Sequence, residues 1–122
     1  MDTQIVEKIK ERIATNPYVN FLGIHFSKIE EGFVEARMPL RDEQRQYSGV
    51  THGGVLAALA DTIAGFAAYT MTPLENDVLT AELKISFLRA AWGYELIARG
   101  FVIKPGRRLH FCECEIYCDD KL

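Results

Sequence analysis

The spacing of apolar and polar positions divides the chain into a helix, a hairpin, a second helix and a run of strands. Over residues 3 to 15, Ile5, Val6, Ile9 and Ile13 form one stripe and Glu7, Lys8, Lys10, Glu11 and Arg12 fill the rest. That spacing predicts an amphipathic helix, capped by Thr3, stopped by Asn16-Pro17 and lying outside the fold as a cover. Residues 21 to 40 read as a hairpin, with a first strand over about residues 23 to 29 that carries His25 at its surface and a turn at Glu31-Gly32. In the second strand Val34, Ala36, Met38 and Leu40 alternate with Glu35 and Arg37. A polar loop, residues 41 to 48, leads to Gly49 and then to His52-Gly53-Gly54. From Val55 to Tyr69 apolar residues lie on every side, which predicts a helix buried all round. Six alanines and Gly65 keep that helix thin, so another element can wrap it closely. Pro73 and Glu75-Asn76-Asp77 close the region.

Three strands follow. Residues 78 to 88 alternate, with Leu79, Ala81, Leu83, Ile85 and Phe87 inward and Thr80, Glu82, Lys84 and Ser86 opposite. Trp92-Gly93 marks a turn, residues 94 to 103 a strand, and residues 104 to 107 another turn. In the last strand, residues 108 to 118, Cys112, Cys114 and Cys118 share one face with His110 and Ile116. Small apolar strand residues account for these cysteines better than a metal site does. The order is α, hairpin, buried helix, antiparallel meander: an α+β fold of five strands in which a curved sheet wraps one long central helix. Such a sheet leaves the helix's other face and its own edges open, and dimerisation is the economical way to bury them.

A length of 122 residues fits one domain with a real core. Its 48% hydrophobic and 25% charged content is ordinary for a globular protein. No basic segment leads into an apolar run at the start, and Asp61 interrupts a helix too short to span a bilayer. Neither a signal peptide nor membrane association is therefore expected, and a cytoplasmic location is the default. Three cysteines without C-x-x-C spacing argue against a disulfide framework or a zinc ribbon.

The net charge of −3 is unevenly spread. Lys84, Arg89, Arg99, Lys104, Arg107 and Arg108 are six bases against one acid, Glu95, a local charge of +5. The run reads either as a patch for an anionic ligand such as nucleotide phosphates or as solvated strand faces and turns. Nucleic acid is the weaker partner, because no aromatic platform is interleaved with these bases.

The candidate chemistry sits at the central helix. Gly53 and Gly54 present backbone N–H groups at its start, an arrangement suited to an oxyanion or other anion. Asp61, nearly two turns on, is a carboxylate in an apolar helix and a candidate base or nucleophile. His52 reads first as a structural hydrogen-bonding residue that shapes the loop and second as a base.

Taken together, Gly49-x-x-His52-Gly53-Gly54-Val55-x-Ala57-x-x-x-Asp61, then Thr80-x-Glu82-Leu83-x-Ile85-x-Phe87-Leu88-Arg89, then Gly106-Arg107, resemble the hotdog-fold acyl-CoA thioesterases. The branch most similar is the phenylacetate-pathway (PaaI-like) type, matched over roughly residues 20 to 118. The resemblance implies one hotdog domain over residues 1 to 122, with residues 1 to 19 as the helical cover. It implies a homodimer with active sites at the interface, commonly a dimer of dimers, acting on acyl-CoA with no cofactor, because CoA is part of the substrate, and with no metal. In this family the N–H matching Gly53 points at the thioester oxygen, and the acid matching Asp61, from the facing subunit, attacks the carbonyl or activates water. The hydroxyl matching Thr80 orients that water. Gly54 and the basic region of Arg89, Gly106, Arg107 and Arg108 receive the substrate, the bases taking the coenzyme A phosphates.

Three positions depart from the pattern. Gln46 stands where the family often has Asn, and is expected to keep the positioning role with a longer arm. Arg89-Ala90-Ala91 replaces the common Arg-Pro-Ala. The last family strand, which follows the turn at residues 119 to 122, has no counterpart, so either the sequence is a shortened form or the sheet edge needs other cover. Two other readings share the fold: a non-catalytic acyl-CoA binding or sensing module, and a hydratase or dehydratase acting on the acyl chain. The retained Asp61 disfavours the first, and the lack of a second His–acid pair disfavours the other. Phe66, Tyr47, Tyr69 and Met71 are candidates to line the acyl pocket or simply core residues.

Overall fold

The computed structural model describes residues 2–119 and 122. Helix α1 (Thr3–Thr15) is capped by Asp2, whose carboxylate accepts the Gln4 N–H at 2.8 Å. Thr3, expected as the cap, is instead the first helical residue; a carboxylate has the advantage of also complementing the positive helix end. Ile9 is fully buried, and Ile5 and Ile13 pack beside it, so α1 is the expected cover. Asn16-Pro17 does more than stop it. Asn16 closes α1 and caps a second short helix, α2 (Pro17–Leu22), its side-chain oxygen accepting the Tyr18 and Val19 N–H groups at 3.1 Å each. Pro17 takes the first helical position, where a missing N–H costs nothing. The hairpin therefore begins later than the alternation alone indicated.

Strands β1 (His25–Glu30) and β2 (Phe33–Pro39) are joined through Gly32, whose φ of 76° suits glycine. A long helix, α3 (Gly53–Tyr69), separates them from β3 (Glu95–Lys104) and β4 (Phe111–Cys118). The four strands form one antiparallel sheet in the order β1-β2-β3-β4. Val34, Ala36, Met38, Leu96 and Ala98 face inward, fully buried, against Leu59, Ile63 and Ala67 of α3. Helix and sheet come closest at Gly100, where an added Cβ would lie 2.8 Å from the Ile63 carbonyl oxygen. On the outer face, Glu35 pairs with Arg99 at 2.9 Å and Arg37 with Glu95 at 2.7 Å across neighbouring strands. The cysteines of β4 alternate inward with His110 and Ile116, as their parity predicts.

Two expectations are corrected. Residues 78–88 join no sheet among the described residues, which leaves four strands rather than five. Alternation specifies two faces and supplies no hydrogen-bonding neighbour; here Leu79 is 93% exposed. The central helix, in turn, is buried on the sheet side only. Leu59, Ala60, Ile63, Phe66, Ala67 and Ala68 are buried, while Leu56, Ala57, Asp61, Ala64 and Gly65 stay half-open. The turn expected at residues 119 to 122 lies partly outside the described residues. No described helix is long and apolar enough to cross a membrane.

Candidate functional site

Between the open flank of α3, the inner face of β4 and residues 78–90 lies a cavity of about 1450 Å³. Its wall holds Asp61, half-buried on α3, and Thr80, whose hydroxyl donates to Asp61 Oδ1 at 2.5 Å. This bond orients the Asp61 side chain on the cavity wall. Arg89, Gly106, Arg107 and Arg108 also line the cavity. The three arginines are exposed and make no ion pair among the described residues. Arg99, counted in the same basic run, is spent on Glu35 across the sheet and faces away. The patch is therefore split: part of it borders the cavity and part of it braces the outer face.

The turn that carries Arg107 and Arg108 is tight. An added Cβ at Gly106 would lie 2.3 Å from the Leu109 carbonyl oxygen, so only glycine fits. His110 holds the turn from below: its Nδ1 accepts the Gly106 N–H at 3.3 Å, and its Nε2 lies 3.4 Å from the Thr72 hydroxyl at the end of α3.

A second group of predicted residues lies at the start of α3. His52 is the N-cap, and its Nδ1 accepts the Gly54 N–H at 2.8 Å. The Gly54 N–H is thus occupied, whereas the Gly53 N–H has no acceptor among the described residues. Gln46 is exposed; its backbone closes the loop through bonds with Val50 and Gly49 at 2.8 Å each, and its side chain reaches nothing in the cavity. The amide that organises this loop is Gln44, which is only 3% exposed. It accepts the Arg41 N–H at 2.9 Å, donates to the Leu22 carbonyl at 3.0 Å, and offers its own carbonyl to the His52 N–H at 2.9 Å. The alternation of polar residues in the loop gave no sign of it. The flanking Thr51, buried and bonded to the Ala91 carbonyl at 2.9 Å, ties the loop to the far end of residues 78–90.

One chain does not bring these two groups together. Gly53 and Asp61 lie eight residues apart on one helix, about 12 Å along its axis. Of the residues considered for the acyl pocket, Met71 borders the cavity. Phe66 packs in the core against Phe26 and Tyr69, Tyr69 donates to Asp77, and Tyr47 stands fully exposed. Burial pushes the Cys114 thiol up to about 12 and raises Cys112 and Cys118 as well, so all three inward thiols stay protonated at neutral pH. Among the described residues no three His, Cys, Asp or Glu side chains gather where a metal ion could sit.

A helix half wrapped by an antiparallel sheet, with an acid on its open flank and a free N–H at its start, defines a class of protein that comparison identifies. Residues 48–122 match the family model described as the thioesterase superfamily. The chain belongs to this superfamily, a family of thioester hydrolases. It is 36% identical over 106 residues to the 1,4-dihydroxy-2-naphthoyl-CoA hydrolase of Escherichia coli, covering 84% of this chain and 75% of that one. Among solved structures it resembles a thioesterase family protein from Silicibacter pomeroyi, with TM-score 0.91 and 32% identity over 93% of this chain and 84% of that one. The E. coli PaaI protein from the phenylacetic acid degradation operon shares the fold, with TM-score 0.88 at 21% identity over 98% of this chain and 86% of that one. The hotdog fold and the thioesterase family read from the sequence are both upheld, and the likeness to PaaI is one of fold.

Proposed function

We propose that the protein hydrolyses an acyl- or aryl-acyl-CoA thioester to the free acid and coenzyme A, as a homodimer whose sites each join the two groups of residues from different chains. The observation that carries this reading is the Thr80–Asp61 bond on a cavity wall bordered by arginines that make no ion pair among the described residues. A base within reach of the carbonyl carbon and a donor on its oxygen must lie a few ångströms apart. The separation of about 12 Å along one helix forbids that within a chain, and two antiparallel copies of α3 would bring Asp61 of one beside Gly53 of the other.

In such a site the Gly53 N–H polarises the thioester carbonyl and stabilises the oxyanion without a proton transfer. Asp61 either takes the proton of a water whose oxygen bonds to the acyl carbon, or bonds to that carbon itself and is released by water afterwards. In both routes the C–S bond breaks and its electron pair leaves on sulfur as a stable thiolate, so no dedicated acid is needed. Thr80 holds Asp61, and His52 and Gln46 keep the loop that presents Gly53. Arg89, Arg107 and Arg108 supply charge for the phosphates. The relative that hydrolyses 1,4-dihydroxy-2-naphthoyl-CoA supports a CoA thioester, and an aromatic acyl group is accordingly included in the test.

The test is thiol release from short, medium, long and aromatic acyl-CoAs by wild type and Asp61→Asn. Wild type should turn over at least one of them, and Asp61→Asn should lose about a thousandfold or more in kcat with its fold intact. Equal rates in the two proteins refute the role of Asp61. Binding without release by wild type would instead indicate a sensing module.

A further inference from the structure

The turn between β3 and β4 carries Arg107 and Arg108 to the edge of the cavity, and a histidine closes it from inside. Lys104 pairs with Phe111 across the base of the turn. Within that pair, His110 Nδ1 accepts the Gly106 N–H at 3.3 Å. The bond closes a ring that runs from Gly106 to His110 and holds both arginines inside it. Gly106 adjoins Arg107 in the chain, so the bond acts on the very backbone that carries the two side chains. Those side chains are exposed and make no ion pair among the described residues.

The other ring nitrogen ties this turn to the end of α3. His110 Nε2 lies 3.4 Å from the hydroxyl of Thr72, which is buried. Thr72 is itself held twice, its N–H donating to the Tyr69 carbonyl at 3.1 Å and its hydroxyl to the Ala68 carbonyl at 2.6 Å. A hydroxyl has one proton. With that proton given to Ala68, the Thr72 oxygen can only accept from His110. Nε2 therefore carries the ring proton, and Nδ1 keeps its lone pair for the Gly106 N–H. The bonds on the two sides of the ring require the same neutral tautomer.

We propose that His110 is a positioning residue for the nucleotide end of an acyl-CoA: with its tautomer set by Thr72, it holds the turn that presents Arg107 and Arg108 to the phosphates. This rests on the reading of those arginines given above. A turn ordered before binding loses less freedom when the phosphates arrive. The two bonds can be removed one at a time. Asn places an acceptor oxygen where Nδ1 stands and keeps the Gly106 bond, whereas Gln reaches Thr72 and gives up Gly106.

On an acyl-CoA that wild type cleaves, His110→Gln should raise KM about threefold with kcat within about twofold, and His110→Asn should stay close to wild type. With the matching acyl-pantetheine, which lacks the nucleotide phosphates, all three proteins should share one KM. When Arg107 and Arg108 are both changed to Gln, His110→Gln should add nothing, because the groups it positions are gone. A KM rise with acyl-pantetheine, an equal rise in the arginine-free background, or equal KM values for the Gln and Asn variants would show a general structural role and overturn the proposal.

A second readout needs no turnover. Adenosine 3′,5′-bisphosphate, the nucleotide part of coenzyme A, is titrated calorimetrically into the same three proteins. It should bind wild type and His110→Asn alike and His110→Gln about threefold more weakly. Equal affinities, or no binding to wild type, overturn the proposal whatever the rates. A wild-type chain that binds the nucleotide but releases no thiol refutes the thioesterase reading, while the nucleotide affinities still decide on His110.

Discussion

Strand β2 and residues 78–88 have the same kind of sequence and opposite fates. Both alternate apolar and polar positions, and both run close to α3. In β2, Val34, Ala36 and Met38 are fully buried, and both edges are paired, with β1 and with β3. In residues 78–88, Leu79, Leu83 and Phe87 are 93%, 48% and 58% exposed and no edge is paired among the described residues. The difference is one of neighbours. A strand's side chains are stabilised by burial, but its backbone needs a second strand in register. The centre of the sheet is thus paired on both edges and buried on its inner face, and the cavity side carries Thr80 and the arginines bordering the cavity. On the proposed reading, the chemistry collects on the open side, and a second copy of the chain would complete it there.

The sharpest way to break this comparison is to remove one leucine from each half. Leu96 is fully buried in β3, and Leu96→Ala should cost about 2–5 kcal/mol in denaturant unfolding. Leu79 is 93% exposed, and in the isolated chain Leu79→Ala should change stability by no more than about 0.5 kcal/mol. Measured as the protein is diluted, the Leu79→Ala cost should rise at concentrations where copies associate, if the partner covers residues 78–90. A large Leu79 cost at every dilution would mean that residues 78–90 pack within one chain after all.

Legibility follows the same division. The hairpin, the buried face of β2 and the last two strands are legible because each writes its burial into a period of two, and the long helix because it is a continuous run of small and apolar residues. Residues 78–88 carry the same period without a strand partner among the described residues, because periodicity does not encode a hydrogen-bonding neighbour. At the site, the Thr80 hydroxyl donates to Asp61 within one chain, and the Gly54 N–H is taken by His52. Gln44 escaped notice because its role depends on a backbone carbonyl distant in sequence, that of Leu22. It sits in a polar loop, a position where a buried bonding role leaves no mark in composition.

The basic residues offer a smaller test of the two halves. Arg107 borders the cavity and Arg99 braces the outer face of the sheet, although they belong to one run in sequence. Arg107→Gln should raise KM for an acyl-CoA about two- to fivefold, as expected for an exposed contact to phosphate, and the effect should shrink as salt is added. The same substitution should leave KM unchanged for the matching acyl-pantetheine, which lacks the nucleotide phosphates. Arg99→Gln should leave both KM values unchanged. A KM increase with acyl-pantetheine would mean that Arg107 shapes the pocket rather than meeting phosphate.

The smallest effect belongs to the outer face of the sheet, and it carries a definite sign. Glu35 is held below its ordinary value of 4.5, first by the hydrogen bond from Arg99 and then by that from Ser27. A folded carboxylate with a lowered pKa binds fewer protons than its unfolded form as the solution is acidified. Its stabilisation is therefore complete above the unfolded value and is lost as pH falls through that value toward the lower, folded one. Glu35→Gln should be less stable than wild type at about pH 6, and the two unfolding curves should converge as the pH drops below about 4, where wild-type Glu35 becomes protonated too. Turnover per folded molecule should not change at either pH, because the pair lies on the far side of the sheet from the cavity. A constant gap at all pH values would assign the stabilisation to packing of the side chain and remove the ion pair from the account of this face.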